Sequence, residues 1–168
     1  MNKANVLISK TDYGFAIKVE GRASMECSPS LRNFGENIIQ GAFSKIIFEM
    51  KDCQWMDSTF MGTLAMLGLK ARKAGIIIEM LNMDEKNRSL IRDLGIEGLF
   101  KFDSCSDTII DPDNSQNLCT SKPDQQNTAE TVLKAHETLV EIDNSNAEKF
   151  GKVIEMVKKE IDDSSEKH

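Results

Sequence analysis

The sequence lacks features that several large classes of protein require. No apolar run approaches the roughly 18 residues of a membrane-spanning helix, and the first ten residues, MNKANVLISK, contain no continuous apolar segment of the kind found in signal peptides. Only 6% of the residues are aromatic, and no stripe of basic side chains is interleaved with them. We therefore expect no membrane span, no secretion signal and no nucleic-acid partner.

Residues that bind metals are also scarce. Only two histidines are present, His136 and His168, and none of the four cysteines forms a CxxC pair. The cysteines are Cys27, Cys53, Cys105 and Cys119. We therefore expect no metal and no other cofactor. Without an export signal, the default expectation is a cytoplasmic protein with free thiols.

The net charge of −6 lies entirely in the last third of the chain. Residues 1–110 hold 14 acidic and 14 basic side chains, whereas residues 111–168 hold 13 acidic and 7 basic ones. With 168 residues, of which 40% are hydrophobic and 29% charged, the chain can bury a core. This size suits one globular domain with an appendage better than two full domains.

Alternating apolar runs and helical patterns predict a small α/β domain over residues 1–110. Val6–Ile8 and Phe15–Val19 flank the turn signal Thr11-Asp-Tyr-Gly14, so these two strands should pair antiparallel. The following elements are strands at 46–50, 76–81 and 101–102, helices beginning near Ser28, Ser58 and Asp84, and the start of a short helix at 107–110. Strand–helix alternation indicates crossover connections and parallel pairing, and hence a mixed sheet.

The composition changes after the α/β domain. Residues 111–127 contain two prolines and almost nothing to bury, which predicts a flexible linker. Apolar residues at helical spacing then predict a hairpin of two helices over 128–162, capped by Asn127 with Glu130, before a disordered tail over 163–168. Two helices alone bury too little, so the hairpin should cover the domain, form a homodimer or capture a partner. The long linker favours the last two.

The stretch WMDSTFMGTL, residues 55–64, places three small polar residues at a strand-to-helix junction. A serine there is usually a helix N-cap. The alternative is a regulatory phosphoserine at Ser58, whose phosphate the helix terminus would stabilise. Because the helix dipole favours negative charge, Ser58→Asp should hardly move the melting temperature.

The segment DCQWMDSTFMGTLAMLGLKARKAG resembles the motif of STAS-domain anti-sigma factor antagonists, and RSLIRDLGIEGLFKFDS resembles their later helix and final strand. The resemblance spans roughly residues 5–110, the whole predicted α/β domain. It implies that Ser58 is phosphorylated. The residues that it implies contact the partner are Asp57, Ser58, Thr59, Phe60, Met61, Gly62, Arg22 and Ser24.

Two positions depart from the family pattern. Phe60 replaces a glycine, and we expect it either to obstruct a partner or to serve as an apolar anchor. The family's acidic turn after the second strand is Gly21-Arg-Ala-Ser24 here, so a carboxylate contact is missing or reversed in charge.

By this resemblance, the chain is a bacterial, cytoplasmic regulator of transcription and not an enzyme. Unphosphorylated, it would bind a serine-kinase anti-sigma factor and free the sigma factor. The kinase would then phosphorylate Ser58, and a PP2C-type phosphatase would reset it. The alternative is a STAS adaptor that is never phosphorylated, for example a subunit of a lipid-transport ATPase complex.

An enzyme with Ser58 or a cysteine as nucleophile is disfavoured, since no catalytic base or oxyanion partner is apparent. His136 lies beyond the linker, and we expect it to pack or to form a hydrogen bond instead of completing a Ser/His/Asp set. We expect Asp57 to act as a cap and structural acid.

Overall fold

A computed structural model describes residues 4–107, 110–119 and 122–166. The described strands are β1 (Asn5–Lys10), β2 (Gly14–Ala23), β3 (Lys45–Glu49), β4 (Cys53–Met56), β5 (Ile77–Leu81), β6 (Lys101–Asp103) and β7 (Gln116–Asn117). The described helices are α1 (Ser28–Ile38), α2 (Ser58–Lys73), α3 (Glu85–Asp93), α4 (Gln125–Ile142) and α5 (Asn146–Glu166), with 3-10 turns at Glu97–Leu99 and Pro112–Asn114. None of these helices is long and apolar enough to cross a membrane.

The strands form one mixed sheet in the order β6-β5-β3-β2-β1-β7, and β4 pairs with the end of β2. β1 and β2 pair antiparallel, whereas β2–β3, β3–β5 and β5–β6 are parallel. The predicted α/β class is therefore confirmed, with its antiparallel N-terminal hairpin and parallel later strands. β4 and β7 were not predicted, because CQWM and QN show neither a strict alternation nor a continuous apolar run.

Burial explains why the central strand reads as a continuous apolar run. In β3, Ile46 and Phe48 point to one face and are 1% and 0% exposed, while Ile47, on the opposite face, is only 7% exposed. A strand covered on both faces does not alternate apolar and polar residues. α2 is also largely buried, because it contacts α1, β5 and α4.

The boundary between β2 and the turn before α1 differs from the one predicted. β2 continues through Ala23, so Gly21–Ala23 is strand, and the turn follows at Met25–Cys27. Gly21 has a φ of 78° at the point where the register between β2 and β4 shifts. A glycine there allows the strand to form a bulge and continue. In the sequence, a glycine at a bulge looks the same as a glycine in a turn that reverses the chain.

The segment predicted as a flexible linker over 111–127 contains local structure. It includes a 3-10 turn and β7, which pairs antiparallel with β1. α4 begins at Gln125, and its N-cap is Asp124, whose carboxylate accepts a hydrogen bond from the backbone N–H of Asn127 at 2.6 Å. The predicted cap, Asn127 with Glu130, is therefore wrong, because the helix begins one turn earlier.

The C-terminal helix is longer than predicted. α5 continues to Glu166, into the stretch predicted as a disordered tail over 163–168. The short helix predicted at 107–110 includes residues 108 and 109, which lie outside the described residues. The division into a domain at 1–110, a linker and a hairpin at 128–162 stays a prediction.

Cys27 and Cys119 form a disulfide with a Cα–Cα distance of 5.3 Å. The expectation of free thiols is therefore wrong for these two residues, and it holds for Cys53, which is buried, and Cys105, which is half-buried. Sequence alone did not suggest the pair, because the two residues are 92 positions apart. The bond joins the N-cap of α1 to the segment that leads into α4.

The helical hairpin covers the α/β domain. α4 packs on α2 and α1, and α5 packs on α4. The turn of the hairpin is fixed by Asn146, whose buried side-chain amide donates hydrogen bonds to the backbone carbonyls of Leu94 and Leu139 at 2.9 Å each. Of the predicted alternatives, covering the domain is therefore what α4 does, while homodimerisation through the hairpin stays a prediction.

The crossing of α2 and α4 depends on one glycine. A Cβ atom at Gly62 would lie 2.6 Å from the carbonyl oxygen of Ala135 and 2.7 Å from its Cβ. Those atoms belong to or adjoin the backbone of α4, so the helix would have to move. Gly62 thus lets two helices approach more closely than any other residue would.

We predict that Gly62→Ala lowers the free energy of unfolding by about 1 kcal/mol net, since overpacking costs about 1–3 kcal/mol and the gain in helix propensity returns about 1. Gly151→Ala in α5 is the control, because no atom lies within 4 Å of its added Cβ. It should be neutral or stabilising in urea denaturation. Equal shifts for the two variants would contradict the close crossing at Gly62.

Candidate functional site

The first turn of α2 is capped by Asp57. One carboxylate oxygen of Asp57 accepts a hydrogen bond from the backbone N–H of Phe60 at 2.8 Å. The other oxygen accepts one from the backbone N–H of Met25 at 2.8 Å. Burial raises the pKa of this carboxyl, although the two N–H donors act in the opposite direction. Asp57 is therefore the N-cap and structural acid that we expected, and it also ties the β2–α1 turn to α2.

Ser58 is not the cap but the first residue of α2. Its side chain is half-buried, and its Oγ lies 2.8 Å from Nε2 of His136 in α4. The helix carries its positive dipole end at this point. The interpretation of Ser58 as a plain N-cap is therefore wrong, because the preceding aspartate fulfils that role and leaves the hydroxyl free to bind α4.

The second ring nitrogen determines the direction of this hydrogen bond. Nδ1 of His136 lies 2.7 Å from the carbonyl oxygen of Val132, which can only accept. Nδ1 therefore donates to this carbonyl, and in the tautomer that carries its proton on Nδ1, Nε2 accepts from the Ser58 hydroxyl. His136 is 3% exposed, and the ring of Phe150 lies 4.9 Å from its centroid.

The residues after Ser58 point into the protein. Phe60 is 0% exposed, and Thr59 and Met61 are 5% and 6% exposed. Gly62 lies under Ala135 of α4. Phe60 belongs to the hydrophobic core, so in this arrangement it neither obstructs a partner nor anchors one.

The two predicted contact residues Arg22, in β2, and Ser24, directly after it, lie beside this turn. Arg22 is exposed, and its guanidinium stacks on the ring of Trp55 with 4.5 Å between the carbon and the ring centroid. Ser24 is half-buried, and its carbonyl oxygen accepts from the hydroxyl of Ser28 at 3.0 Å. Trp55 was not among the predicted site residues, although it is the only tryptophan of the chain.

His136 is the residue of this site that sequence reasoning missed. The expectation that His136 packs or forms a hydrogen bond is confirmed, but the sequence did not indicate that its partner is Ser58, 78 positions away on a different helix. Docking of α4 across the start of α2 brings the two together. The only signal in the sequence is a histidine within the apolar stripe of α4, which is also what an ordinary core histidine looks like.

The geometry argues against nucleophilic catalysis. His136 donates from Nδ1 to a backbone carbonyl, so no carboxylate orients the ring as in a Ser/His/Asp set. Burial raises the pKa of the Cys53 thiol to about 11, which keeps it from forming the reactive thiolate. Within the described ranges, no three His, Cys, Asp or Glu side chains gather to hold a metal ion.

We predict that Asp57→Ala costs more stability than Asp84→Ala. Asp84 caps α3 through a single bond from the backbone N–H of Asn87 at 2.7 Å, and loss of such a cap costs about 1 kcal/mol. Asp57→Ala also leaves the N–H of Met25 without its acceptor, which should add about 1 kcal/mol. Urea denaturation of both variants measures the difference. Equal losses would show that the Met25 bond contributes nothing.

Comparison with known proteins identifies the fold. The chain is similar to the solved structure of the anti-sigma factor antagonist SpoIIAA in its unphosphorylated form, with a TM-score of 0.54 and 17% identity over 60% of this chain and 89% of that one. It is also similar to a protein from Thermotoga maritima described as a candidate anti-sigma factor antagonist, with a TM-score of 0.50 and 14% identity over 61% of this chain and 86% of that one.

No model of a known protein family and no curated protein matches the sequence. At 14–17% identity, the likeness to the solved structures concerns the fold. It agrees with the mixed sheet and its N-terminal hairpin, and it confirms the fold that the Asp57–Gly62 motif predicted. The chain has a SpoIIAA-like, STAS-type fold.

Proposed function

We propose that this chain is an anti-sigma factor antagonist in a cytoplasmic bacterial partner-switching system. Unphosphorylated, it binds a serine-kinase anti-sigma factor and frees the sigma factor. The kinase phosphorylates Ser58, and a PP2C-type phosphatase reverses the modification. The observation that carries this proposal is the position of Ser58, a half-buried hydroxyl at the first residue of α2 on a SpoIIAA-like fold.

Phosphorylation of Ser58 has a physical basis as a switch. The start of α2 favours a negative group, so a phosphate need not unfold the helix. A phosphate buried in an interface without a cationic partner, however, costs several kcal/mol. Each loss of about 1.4 kcal/mol weakens binding tenfold. Modification therefore separates the two proteins without destroying either.

A second candidate is a STAS-type adaptor whose Ser58 is never phosphorylated. The observation that favours it is the hydrogen bond between Ser58 and His136, which occupies the hydroxyl with a contact inside the chain. An adaptor would use this contact only to fix α4 on α2. Phosphorylation of Ser58 in the native cell is what separates the two candidates.

The test is an intact-mass measurement of the protein from its native cell, followed by mapping of the modified residue. We expect one phosphate on Ser58 and none on Ser58→Ala. Phosphate on Thr59 or Ser24 instead would contradict the assignment of the acceptor. An unmodified protein, under conditions in which the cell's sigma factors are held inactive, would favour the adaptor.

A further inference from the structure

Resting on the proposed function, we propose that α4 occupies in the free protein the surface of α2 that the partner uses. The partner then binds by placing a helix of the same kind where α4 lies. The contacts of α4 describe that helix, because they show which side chains the surface at the start of α2 accepts.

The first requirement is a small residue at the crossing point. Ala135 lies so close to Gly62 that a single added Cβ would come within 2.6 Å of its carbonyl oxygen. Any helix that replaces α4 at this depth must therefore carry alanine, glycine or serine there, as helices that cross at glycine do.

The second requirement is a hydrogen-bond acceptor directly after the small residue. His136 fulfils it for α4 by accepting from the Ser58 hydroxyl at 2.8 Å. A phosphate on Ser58 replaces the hydroxyl proton with a phosphorus atom and three oxygens, for which the 2.8 Å between Oγ and Nε2 leaves no room. The same modification therefore disfavours α4 and any helix that imitates it, which makes Ser58 the common control point.

The third requirement comes from a buried arginine. Arg32 of α1 is 5% exposed, and its Nη2 donates to the side-chain oxygen of Asn127 at 3.0 Å. Within the described part of the chain, its Nε and Nη1 have no hydrogen-bond partner. A neutral amide thus faces a buried charge that a carboxylate would satisfy better.

The partner helix should accordingly carry a carboxylate about two turns before its small residue, as Asn127 precedes Ala135 in α4. The incomplete hydrogen bonding of Arg32 also explains how a partner can compete with a tethered helix. At this end of α4 the buried guanidinium has a neutral amide as its partner. A helix with a carboxylate there would gain a charge-assisted hydrogen bond that Asn127 cannot form.

The remaining contacts of the helical hairpin bury few large apolar side chains, so that α4 can be displaced. The buried side chains of α4 are Thr131, Val132, Ala135, His136 and Leu139, of which only two are large and apolar. α5 adds only one buried residue, Asn146. Elements with few buried apolar contacts are the ones that open locally while the core stays folded.

Two pairs of full-length variants test the inference in opposite directions. Ala135→Leu adds bulk over Gly62, and its control is Ala147→Leu at an exposed position of α5. Asn127→Asp supplies the carboxylate to Arg32, and its control is Gln126→Asp, also in the first turn of α4 and exposed. The readouts are amide hydrogen exchange of α4 and the initial rate of Ser58 phosphorylation in a lysate of the native cell with ATP.

We expect Ala135→Leu to raise both the exchange of α4 and the phosphorylation rate about tenfold. Asn127→Asp should lower both several-fold, and the controls should match the wild type. Should Ala135→Leu not fold, the Asn127→Asp and Gln126→Asp pair decides the question alone.

Different results would overturn the inference about α4 and the proposed function. Changed exchange with equal phosphorylation rates would overturn the inference and leave the proposed function standing. Unchanged exchange in both test variants would overturn it as well. No phosphate on Ser58 in any of the proteins, wild type included, would overturn the proposed function and the inference with it.

Discussion

Removing the disulfide by the double replacement Cys27→Ala and Cys119→Ala should lower the free energy of unfolding by about 2–5 kcal/mol. The two cysteines are 92 positions apart, and a bond that closes so long a loop removes much conformational freedom from the unfolded chain. In the folded protein, the bond joins α1 to the segment before α4, so its loss should also speed hydrogen exchange at the start of α4.

The control for this double variant is Cys105→Ala, since Cys105 is a free cysteine whose backbone N–H and carbonyl bind the side chain of Asn82. Urea denaturation without reductant gives the stabilities, and thiol labelling of the denatured protein counts free cysteines. Four labelled thiols in protein from the native cell would show that the bond does not form there. Disulfides are uncommon in a reducing cytoplasm, so this count also tests the proposed location.

Ser58→Asp should release α4 from α2. In place of a hydroxyl whose Oγ lies 2.8 Å from Nε2 of His136, the variant presents a larger carboxylate, and its additional atoms have to fit between α2 and α4. We expect this overpacking to cost about 1–3 kcal/mol in the docking of α4, of which the helix dipole returns at most about 1. Amide exchange of α4 should therefore rise up to about tenfold.

Ser58→Ala is the matched variant for this experiment, because it removes the hydroxyl without adding atoms between α2 and α4. Its effect on α4 should be clearly smaller than that of Ser58→Asp. The sheet strands should keep their protection in both variants, since the core does not depend on Ser58. Unchanged exchange of α4 in Ser58→Asp would contradict the contact with His136.

The effect of Ser58→Asp expected from the structure is larger than the one expected from the sequence. A helix start alone accepts an aspartate readily, so the sequence predicts an almost unchanged melting temperature. The contact with α4 alters the outcome, because a buried side chain of α4 lies opposite Ser58 and leaves no room for a larger group. The difference between the two expectations arises from one residue, His136, that lies 78 positions further along the chain.

Local patterns in the sequence determined most of the α/β domain. The antiparallel β1–β2 hairpin, the parallel later strands and the helix that Asp84 caps all follow from periodicity and capping chemistry. The position of Ser58 at the start of α2 follows in the same way, since a short polar interruption between an apolar run and a helical pattern marks a helix start. Such signals act between residues a few positions apart, and a single sequence displays them directly.

Only the tertiary structure decided what covers that helix start. The pairing of Ser58 with His136, the crossing of Gly62 under Ala135 and the disulfide between Cys27 and Cys119 join residues at least 73 positions apart. Periodicity shows that α4 has an apolar face but not which surface it contacts, because that choice depends on how whole elements fit together. The sequence therefore determined where the candidate site lies, and packing alone determined that the chain's own helix occupies it.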